Sequence, residues 1–441
     1  MAAKRSKKHG GGASASGAPA LRERSNGGLT QNAEPRKPPG FTVVGIGASA
    51  GGLDAFKRFM NAMPPDSGMG FVLIQHLDPK HESLTAELLS KQTSMKVVQA
   101  QDRMPILPNH VYAIPPNKDL GVRSRVLYLS ELSERRGVRI PIDFFFRSLA
   151  EDQQENAVGI VLSGTGSDGT LGLKAIKGYG GVTLVQTPET AQFDGMPRSA
   201  IIAGVADHVV PVEQMPDFLL KYVKARTPVV QVTDHLPAIL AVVQARTKYD
   251  FRFYKTGTLQ RRIERRMSLN NLPHVGDYLE FLRRTPKEPN LLLKDLLIGV
   301  TGFFREPAAF ETLEKEVIAP LVRAKEDDAG IRVWVPGCST GEEPYSLAML
   351  LLEQHAAAQK PCHMQIFASD LDQEALAKAR IGLYLENVAA DVSPERLRQH
   401  FKREGNAYQV SKQLRDSVVF AAQRRACPGS SNTPKRSRRR C

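Results

Sequence analysis

The sequence predicts an α/β protein, with two units built on parallel sheets under helices and a small all-helical unit between them. Three observations predict it. From Phe41 to about Val210, short β-type runs alternate with amphipathic helical stretches. Residues 234–297 show helical periodicity and no strand signal. At Ile331-Arg332-Val333-Trp334-Val335 a strand pattern returns, followed by a glycine-bearing turn and a further helix.

Taken in order, residues 1–40 are rich in Gly, Ser, Ala, Pro and Lys and nearly free of large apolar side chains, so they are expected to form a disordered basic arm. Strands are expected at 41–46, 70–75, 110–114, 157–162 and 181–185, with helices such as 52–62 and 82–91 between them. Residues 211–230 read as a closing helix and a Pro-containing linker. The second α/β unit is expected to hold a strand at 331–335, a helix at 342–355 and a strand at 364–369. After Ala422 only Arg, Ser, Pro, Cys, Lys and a few other polar or small residues follow, which reads as a second basic tail. The expected division is an arm at 1–40, an α/β domain at 41–215, a linker at 216–233, a helical domain at 234–300, a second α/β domain at 301–422 and a tail at 423–441.

Charge excludes one class of function. The chain carries +14 in all, but residues 1–40 hold +6 of it and residues 423–441 hold +7. The folded part is close to neutral, so no specific nucleic-acid reader is expected there. No apolar run reaches the ~18 residues needed to span a bilayer, and the N-terminus has no apolar signal core. The four cysteines, Cys338, Cys362, Cys427 and Cys441, are scattered without a CxxC pair, which suits a reducing cytoplasm. The ten histidines show no metal-ligand spacing, so no metal is expected.

The first candidate site begins where the first strand ends, in Gly45-Ile46-Gly47-Ala48-Ser49-Ala50-Gly51-Gly52. Ser49 sits in a G-x-S-x-G frame, which suits a nucleophile on a sharp strand-to-helix turn. A purely structural turn would use the same residues. A dinucleotide loop is disfavoured, because the spacing is G-x-G-x-x-x-G and the next strand, Phe71 to Gln75, ends on His76 rather than on an acid. Strand ends of a parallel sheet share one edge, so Ser49 and His76 are expected together there. Asp168 lies in Ser163-Gly164-Thr165-Gly166-Ser167-Asp168, after the strand Ala157 to Leu162, again at that edge. A carboxylate there is what a histidine base needs to fix its tautomer, and amides at Gly164 to Gly166 are candidates for an oxyanion site. The chain order Ser, His, Asp differs from the Ser, Asp, His order of α/β-hydrolases.

These motifs, with Gln75-His76 and Asp194-Gly195-Met196-Pro197-Arg198-Ser199-Ala200, resemble the catalytic domain of the CheB protein-glutamate methylesterases over residues 41–215. The resemblance implies a Rossmann-like domain that hydrolyses glutamate γ-methyl esters on methylated chemoreceptor-like helices, releasing methanol, and that deamidates certain glutamines. Carried over by position, Ser49 is the nucleophile, His76 the base and Asp168 its orienter, and the esterase needs no cofactor. Thr165 departs from the methionine usual in that family. A phospho-acceptor receiver domain, common in the family, is absent ahead of the first strand, so activity without phosphorylation is expected.

In the second half, Arg261, Arg262, Arg265 and Arg266 form one helical stripe, read either as a solvated face or as a dock for an acidic receptor helix. Thr301-Gly302-Phe303-Phe304-Arg305, then Gly337-Cys338-Ser339-Thr340-Gly341-Glu342, then Asp370 at a strand end, form a nucleotide-type cradle. These residues resemble the CheR glutamate methyltransferases over 234–422. The resemblance implies an all-helical domain and a Rossmann-like S-adenosylmethionine (SAM) domain, with Thr301, Arg305, Glu342 and Asp370 at the cofactor. Gly299 stands where that family often has Asn. The change of composition at 423 reads as a frameshift or early stop, so an incomplete methyltransferase domain without methyl transfer is expected. A binding module for SAM or receptor, without chemistry, is the competing expectation.

Overall fold

The computed structural model describes residues 40–76, 85–131, 140–225, 232–326 and 330–423. Of the expected arm at 1–40 and tail at 423–441, residues 1–39 and 424–441 lie outside the described residues, and with them the frameshift reading.

The first unit runs β1 (Val43–Ala48), α1 (Gly52–Ala62), β2 (Gly70–Gln75), α2 (Thr85–Ser90), β3 (Lys96–Gln99), β4 (Met104–Pro105), β5 (His110–Ala113), β6 (Lys118–Arg123), β7 (Val126–Glu131), α3 (Pro141–Gln153), β8 (Ala157–Val161), α4 (Thr170–Gly178), β9 (Val182–Gln186), α5 (Gly195–Ile202), β10 (His208–Val210) and α6 (Met215–Ala225). Seven strands form one sheet in the order β10-β9-β8-β1-β2-β5-β3, and every pairing in it is parallel. The order reverses beside β1, which puts β1 next to both β2 and β8. Such a reversal leaves a crevice at the strand C-termini.

Helix α3 packs directly across β1. A Cβ on Gly47 would run into the Ile142 side chain, and one on Gly45 would lie 2.9 Å from both Phe145 Cε1 and Phe146 Cε1. The glycines therefore serve close helix–strand packing as much as the turn. Ile142, Phe145, Phe146 and Leu149 are fully buried on that face, each contributing roughly 1.5–3 kcal/mol by burial.

A side sheet β4-β7-β6 is antiparallel and was not expected from sequence. Its hairpin turns at Ser124 and Arg125, both with positive φ (53° and 60°). No Asn-Gly or Asp-Gly marks such a turn here. The Asp152 carboxylate accepts both turn amides, at 2.5 and 2.9 Å, and holds it.

The helical unit consists of α7 (Val232–Thr247), α8 (Thr256–Leu269), α9 (Val275–Arg284) and α10 (Glu288–Leu297), with a core of its own around Ile239, Ile263, Tyr278 and Leu292. The arginine stripe of α8 corrects both expectations for it. Arg262 and Arg265 are 7 % and 3 % exposed. Arg262 donates to the carbonyls of Lys177 and Gly178, and Arg265 pairs with Asp207 and, at 2.5 Å, with Asp295. Arg266 pairs with Glu288 at 2.6 Å, so three of the four arginines are engaged within the chain, while Arg261 stays exposed. Arg262 and Arg265 face inward because the backbone carbonyls ending α4 and the buried Asp207 offer the partners that a buried guanidinium requires.

The last unit runs α11 (Pro307–Leu313), a π-turn (Glu314–Ile318), α12 (Ala319–Ala324), β11 (Ile331–Pro336), α13 (Glu342–Ala357), β12 (Met364–Asp370), α14 (Gln373–Ile381), β13 (Leu383–Leu385), a 3-10 turn (Glu386–Ala390), α15 (Pro394–His400), β14 (Phe401–Glu404), β15 (Ala407–Val410), α16 (Lys412–Ser417) and β16 (Val418–Ala422). Three parallel strands form the sheet β11-β12-β16, and β13-β15-β14 form an antiparallel one. One face of the parallel sheet buries Ile331, Val335, Ile366, Ala368, Val418 and Phe420. On the other face Trp334, Phe367 and Val419 lie side by side in register and exposed.

Candidate active site and cofactor cradle

Register alone brings the first two site residues together. Ala48 pairs with Gln75, so Ser49 and His76 both leave their strands at the next position. The His76 amide donates to the Ala48 carbonyl (3.4 Å), and the Ser49 amide donates to the Ser163 carbonyl in the loop after β8 (3.0 Å). Gly51 caps α1 in the left-handed region (φ 72°), and a Cβ there would lie 2.8 Å from Ser163 Oγ. The turn thus needs glycine both for its dihedral and for that close approach. Ser163 is a hub that sequence reading missed. Its hydroxyl donates to the Ala50 carbonyl (2.8 Å) and accepts the Phe193 amide (3.0 Å), locking the serine turn to the segment before α5.

His76 Nε2 lies 2.7 Å from Asp168 Oδ2. Nδ1 is the ring nitrogen that Asp168 does not engage, and among the described residues no hydrogen bond joins the Ser49 hydroxyl to His76. Asp168 is 6 % exposed and is gripped from behind. Its Oδ2 accepts the Ile142 amide (3.0 Å), and its Oδ1 accepts the amides of Asp143 (2.8 Å) and Gly169 (2.8 Å). Two of these amides belong to the first turn of α3, where helix amides have no partner within the helix. Asp168 therefore caps α3 from another loop, and α3 fixes the direction in which Asp168 points.

Behind that pair sits a residue the sequence did not single out. Asp143, fully buried on α3, accepts the Gly172 amide at Oδ1 (2.5 Å) and the Asn387 side-chain amide at Oδ2 (2.7 Å). Burial, reinforced by the nearby charge of Asp168, pushes its carboxyl up to about 7. One turn along α3, Arg147 makes two bonds to Asp391, at 2.7 and 3.1 Å. No local pattern announces these partners, because they lie 244 residues away.

The expected oxyanion loop needs one correction. The Gly164 amide donates to the Phe193 carbonyl (2.9 Å) and is therefore occupied. Thr165 and Gly166 are the loop positions left for that task.

In the second half, the structure joins two of the four expected cofactor residues directly. Thr301 Oγ1 lies 3.5 Å from Glu342 Oε2. Glu342, 6 % exposed, also receives the Thr340 hydroxyl at 2.7 Å and has Lys174 Nζ at 3.6 Å. Asp370 at the end of β12 accepts the Ser339 amide (2.7 Å) and the Asp372 amide (2.8 Å), so it shapes the loop between β11 and α13. Arg305 is exposed and donates to the Val300 carbonyl (2.6 Å). A glycine loop at a strand end, a half-open acid beside it and a buried carboxylate at the following helix start fit a cofactor with both hydroxyl groups and a cationic amine.

Comparison with known proteins gives three family matches. Residues 44–219 match the model described as CheB methylesterase. Residues 234–297 match CheR methyltransferase, all-alpha domain, and residues 299–425 match CheR methyltransferase, SAM binding domain. A putative protein-glutamate methylesterase/protein-glutamine glutaminase of Leptospira interrogans is 32% identical over 182 residues, covering 41% of this chain and 94% of that protein. An uncharacterized 104.1 kDa protein of Rhodobacter capsulatus is 36% identical over 365 residues, covering 76% of this chain but only 38% of the relative. A Pseudomonas aeruginosa protein-glutamate methylesterase/protein-glutamine glutaminase is 35% identical over 188 residues, and the match spans 54% of its length. Among solved structures, the Thermotoga maritima CheB methylesterase catalytic domain covers 42% of this chain and 99% of its own, at 29% identity and a TM-score of 0.40.

Proposed function

The chain belongs to the CheB methylesterase family and continues into CheR methyltransferase domains, and from that premise we propose that its first half hydrolyses glutamate γ-methyl esters on proteins through Ser49, His76 and Asp168. The observation that carries the reading is the 2.7 Å contact between His76 and Asp168 at the sheet edge where Ser49 emerges in register. In the reaction, Ser49 Oγ attacks the ester carbonyl while His76 Nδ1 takes its proton. Asp168 holds the ring and stabilises its charged form. Amides at Thr165 and Gly166 receive the oxyanion, each contributing ~3 kcal/mol at the transition state. Collapse expels methoxide, which leaves as methanol with the proton from His76. Water, activated by the same nitrogen, then releases the glutamate carboxylate. Glutamine fits the same chemistry with ammonia as leaving group, in line with the second activity in the relatives' names.

The second half carries a SAM-binding domain of the CheR type. Thr301, Glu342, Asp370 and Arg305 are the residues that would hold SAM, which when bound supplies an electrophilic methyl group. Glu342 would take the amine, Asp370 the ribose hydroxyls, and Thr301 and Arg305 the remaining polar groups. The substrate class that suits both halves is a glutamate-bearing, chemoreceptor-like protein helix. Among the described residues no helix is long and apolar enough to cross a membrane, and action on the cytoplasmic part of such a receptor is the setting we favour.

Ser49→Ala tests the esterase reading. Methanol release from a γ-methylated receptor should fall by at least about 1,000-fold, with receptor binding kept. Hydrolysis retained in that variant would exclude the triad.

A further inference from the structure

We propose that Asn387, on the methyltransferase side of the chain, is a positioning residue for the esterase, acting through Asp143 on the carboxylate of Asp168. The proposal rests on the esterase reading above.

Four hydrogen bonds connect Asn387 to the catalytic histidine without a gap. Asn387 Nδ2 donates to Asp143 Oδ2 (2.7 Å), the Asp143 amide donates to Asp168 Oδ1 (2.8 Å), the neighbouring Ile142 amide donates to Asp168 Oδ2 (3.0 Å), and that oxygen meets His76 Nε2 (2.7 Å). Every link before the histidine is buried: Asn387 is 1 % exposed, Asp143 0 % and Asp168 6 %. In so dry a place a polar group that loses its partner finds no water to replace it, so each bond holds the geometry of the next. The first turn of α3 therefore cannot shift without moving both amides that orient Asp168.

The same short segment also grips α3 a second time. Asp391, just past the 3-10 turn that holds Asn387, pairs with Arg147, one turn beyond Asp143. Glu386 opens that turn, and its Oε1 lies 3.4 Å from where a Cβ of Gly166 would sit, against the loop assigned to the oxyanion. Segment 386–391 therefore grips α3 at two points behind Asp168 and lies near the Gly166 loop, while Ser49 stays half-buried and the His76 side chain 30 % exposed. An arrangement of this kind supports the site from behind and does not plug it. It makes esterase turnover depend on the docking of the second half, because a small misplacement of a catalytic group lowers the rate steeply.

The groups that face Asp143 define the pH behaviour of a test. Asp168 faces it from the loop after β8, with His76 beyond. Arg147 faces it from its own helix and is paired with Asp391. Lys174, on the helix that supplies Gly172, is turned to Thr340 and Glu342.

The experiment uses the full chain and methanol release. Asn387→Ala should lower kcat about 10-fold or more with KM within twofold. Asn387→Asp, nearly isosteric, sets a second carboxyl against Asp143. It should work at pH 6, where the pair can share a proton, and lose turnover as both ionise above neutrality, whereas the unsubstituted chain keeps it. If Asn387→Ala fails to fold, the pH profile of Asn387→Asp decides alone. Unchanged kcat, or an Asn387→Asp pH profile superimposable on the parent's, overturns the proposal. Ser49→Ala run in parallel separates the two readings, since hydrolysis surviving there sinks the esterase assignment itself.

Discussion

Asp143 shows how one buried carboxyl carries both structure and pH dependence. Its pKa is raised from 3.8 to about 7 by burial and by Asp168. A carboxyl whose folded value exceeds its unfolded one binds its proton more tightly when folded. Its stabilising contribution is therefore complete below about pH 4 and is lost as pH rises through about 7. The loss is on the order of a few kcal/mol. Asp143→Asn should flatten the fall in thermal midpoint between pH 5 and 8, measured by calorimetry on both chains. A parallel decline in parent and variant would show that other groups set this dependence. Asp207 has the opposite sign. Burial alone would raise it, but Arg265 and Lys177 outweigh burial and hold it well below the usual carboxylate range. Its contribution is present above about pH 4 and fades only in strong acid.

At the scale of elements, α3 and α8 do the joining. Helix α3 lies on the glycines of β1 and presents Asp143 and Arg147 to segment 386–391. Helix α8 presents Arg262 and Arg265 to the end of α4 and to Asp207. The Arg265 ion pairs are almost completely buried, with the guanidinium 1 % exposed and the two carboxylates 4 % and 5 %. Removing one partner of a buried pair strands the other, so Arg265→Leu should destabilise by ~3–5 kcal/mol in urea unfolding. A change below ~1 kcal/mol would mean that Lys177, 3.0 Å from Asp207, suffices alone. The sheet β11-β12-β16 has the opposite character. Its row of Trp334, Phe367 and Val419 is exposed, an apolar strip on a parallel sheet of a kind usually covered on both faces.

At the scale of the whole molecule, ion pairs join the CheB-type and CheR-type domains within residues 41–441. Glu342, at the expected SAM position, is also 3.6 Å from Lys174 of the esterase half. Calorimetric titration with S-adenosylhomocysteine should give saturable binding, weakened roughly 10- to 100-fold in Glu342→Ala as a charged hydrogen bond is lost. Equal affinity in both proteins would remove Glu342 from the cofactor site. The chain spans 38% of the Rhodobacter relative and about half of the Pseudomonas one, so its activity is best measured on the polypeptide itself. Sequence alone determined the strands that lead to Ser49 and His76 and the strand whose following loop holds Asp168, because period-two runs and glycine turns are local signals and parallel strand ends share an edge. It also determined the helical middle and the cradle around Glu342. Tertiary structure decided which way the arginine stripe of α8 faces, that the Gly164 amide is occupied, and that Asp143 and Asn387 meet across 244 residues. The reason is physical. A buried polar group takes whichever partner the packing brings within reach, and no periodicity along the chain encodes who that partner is.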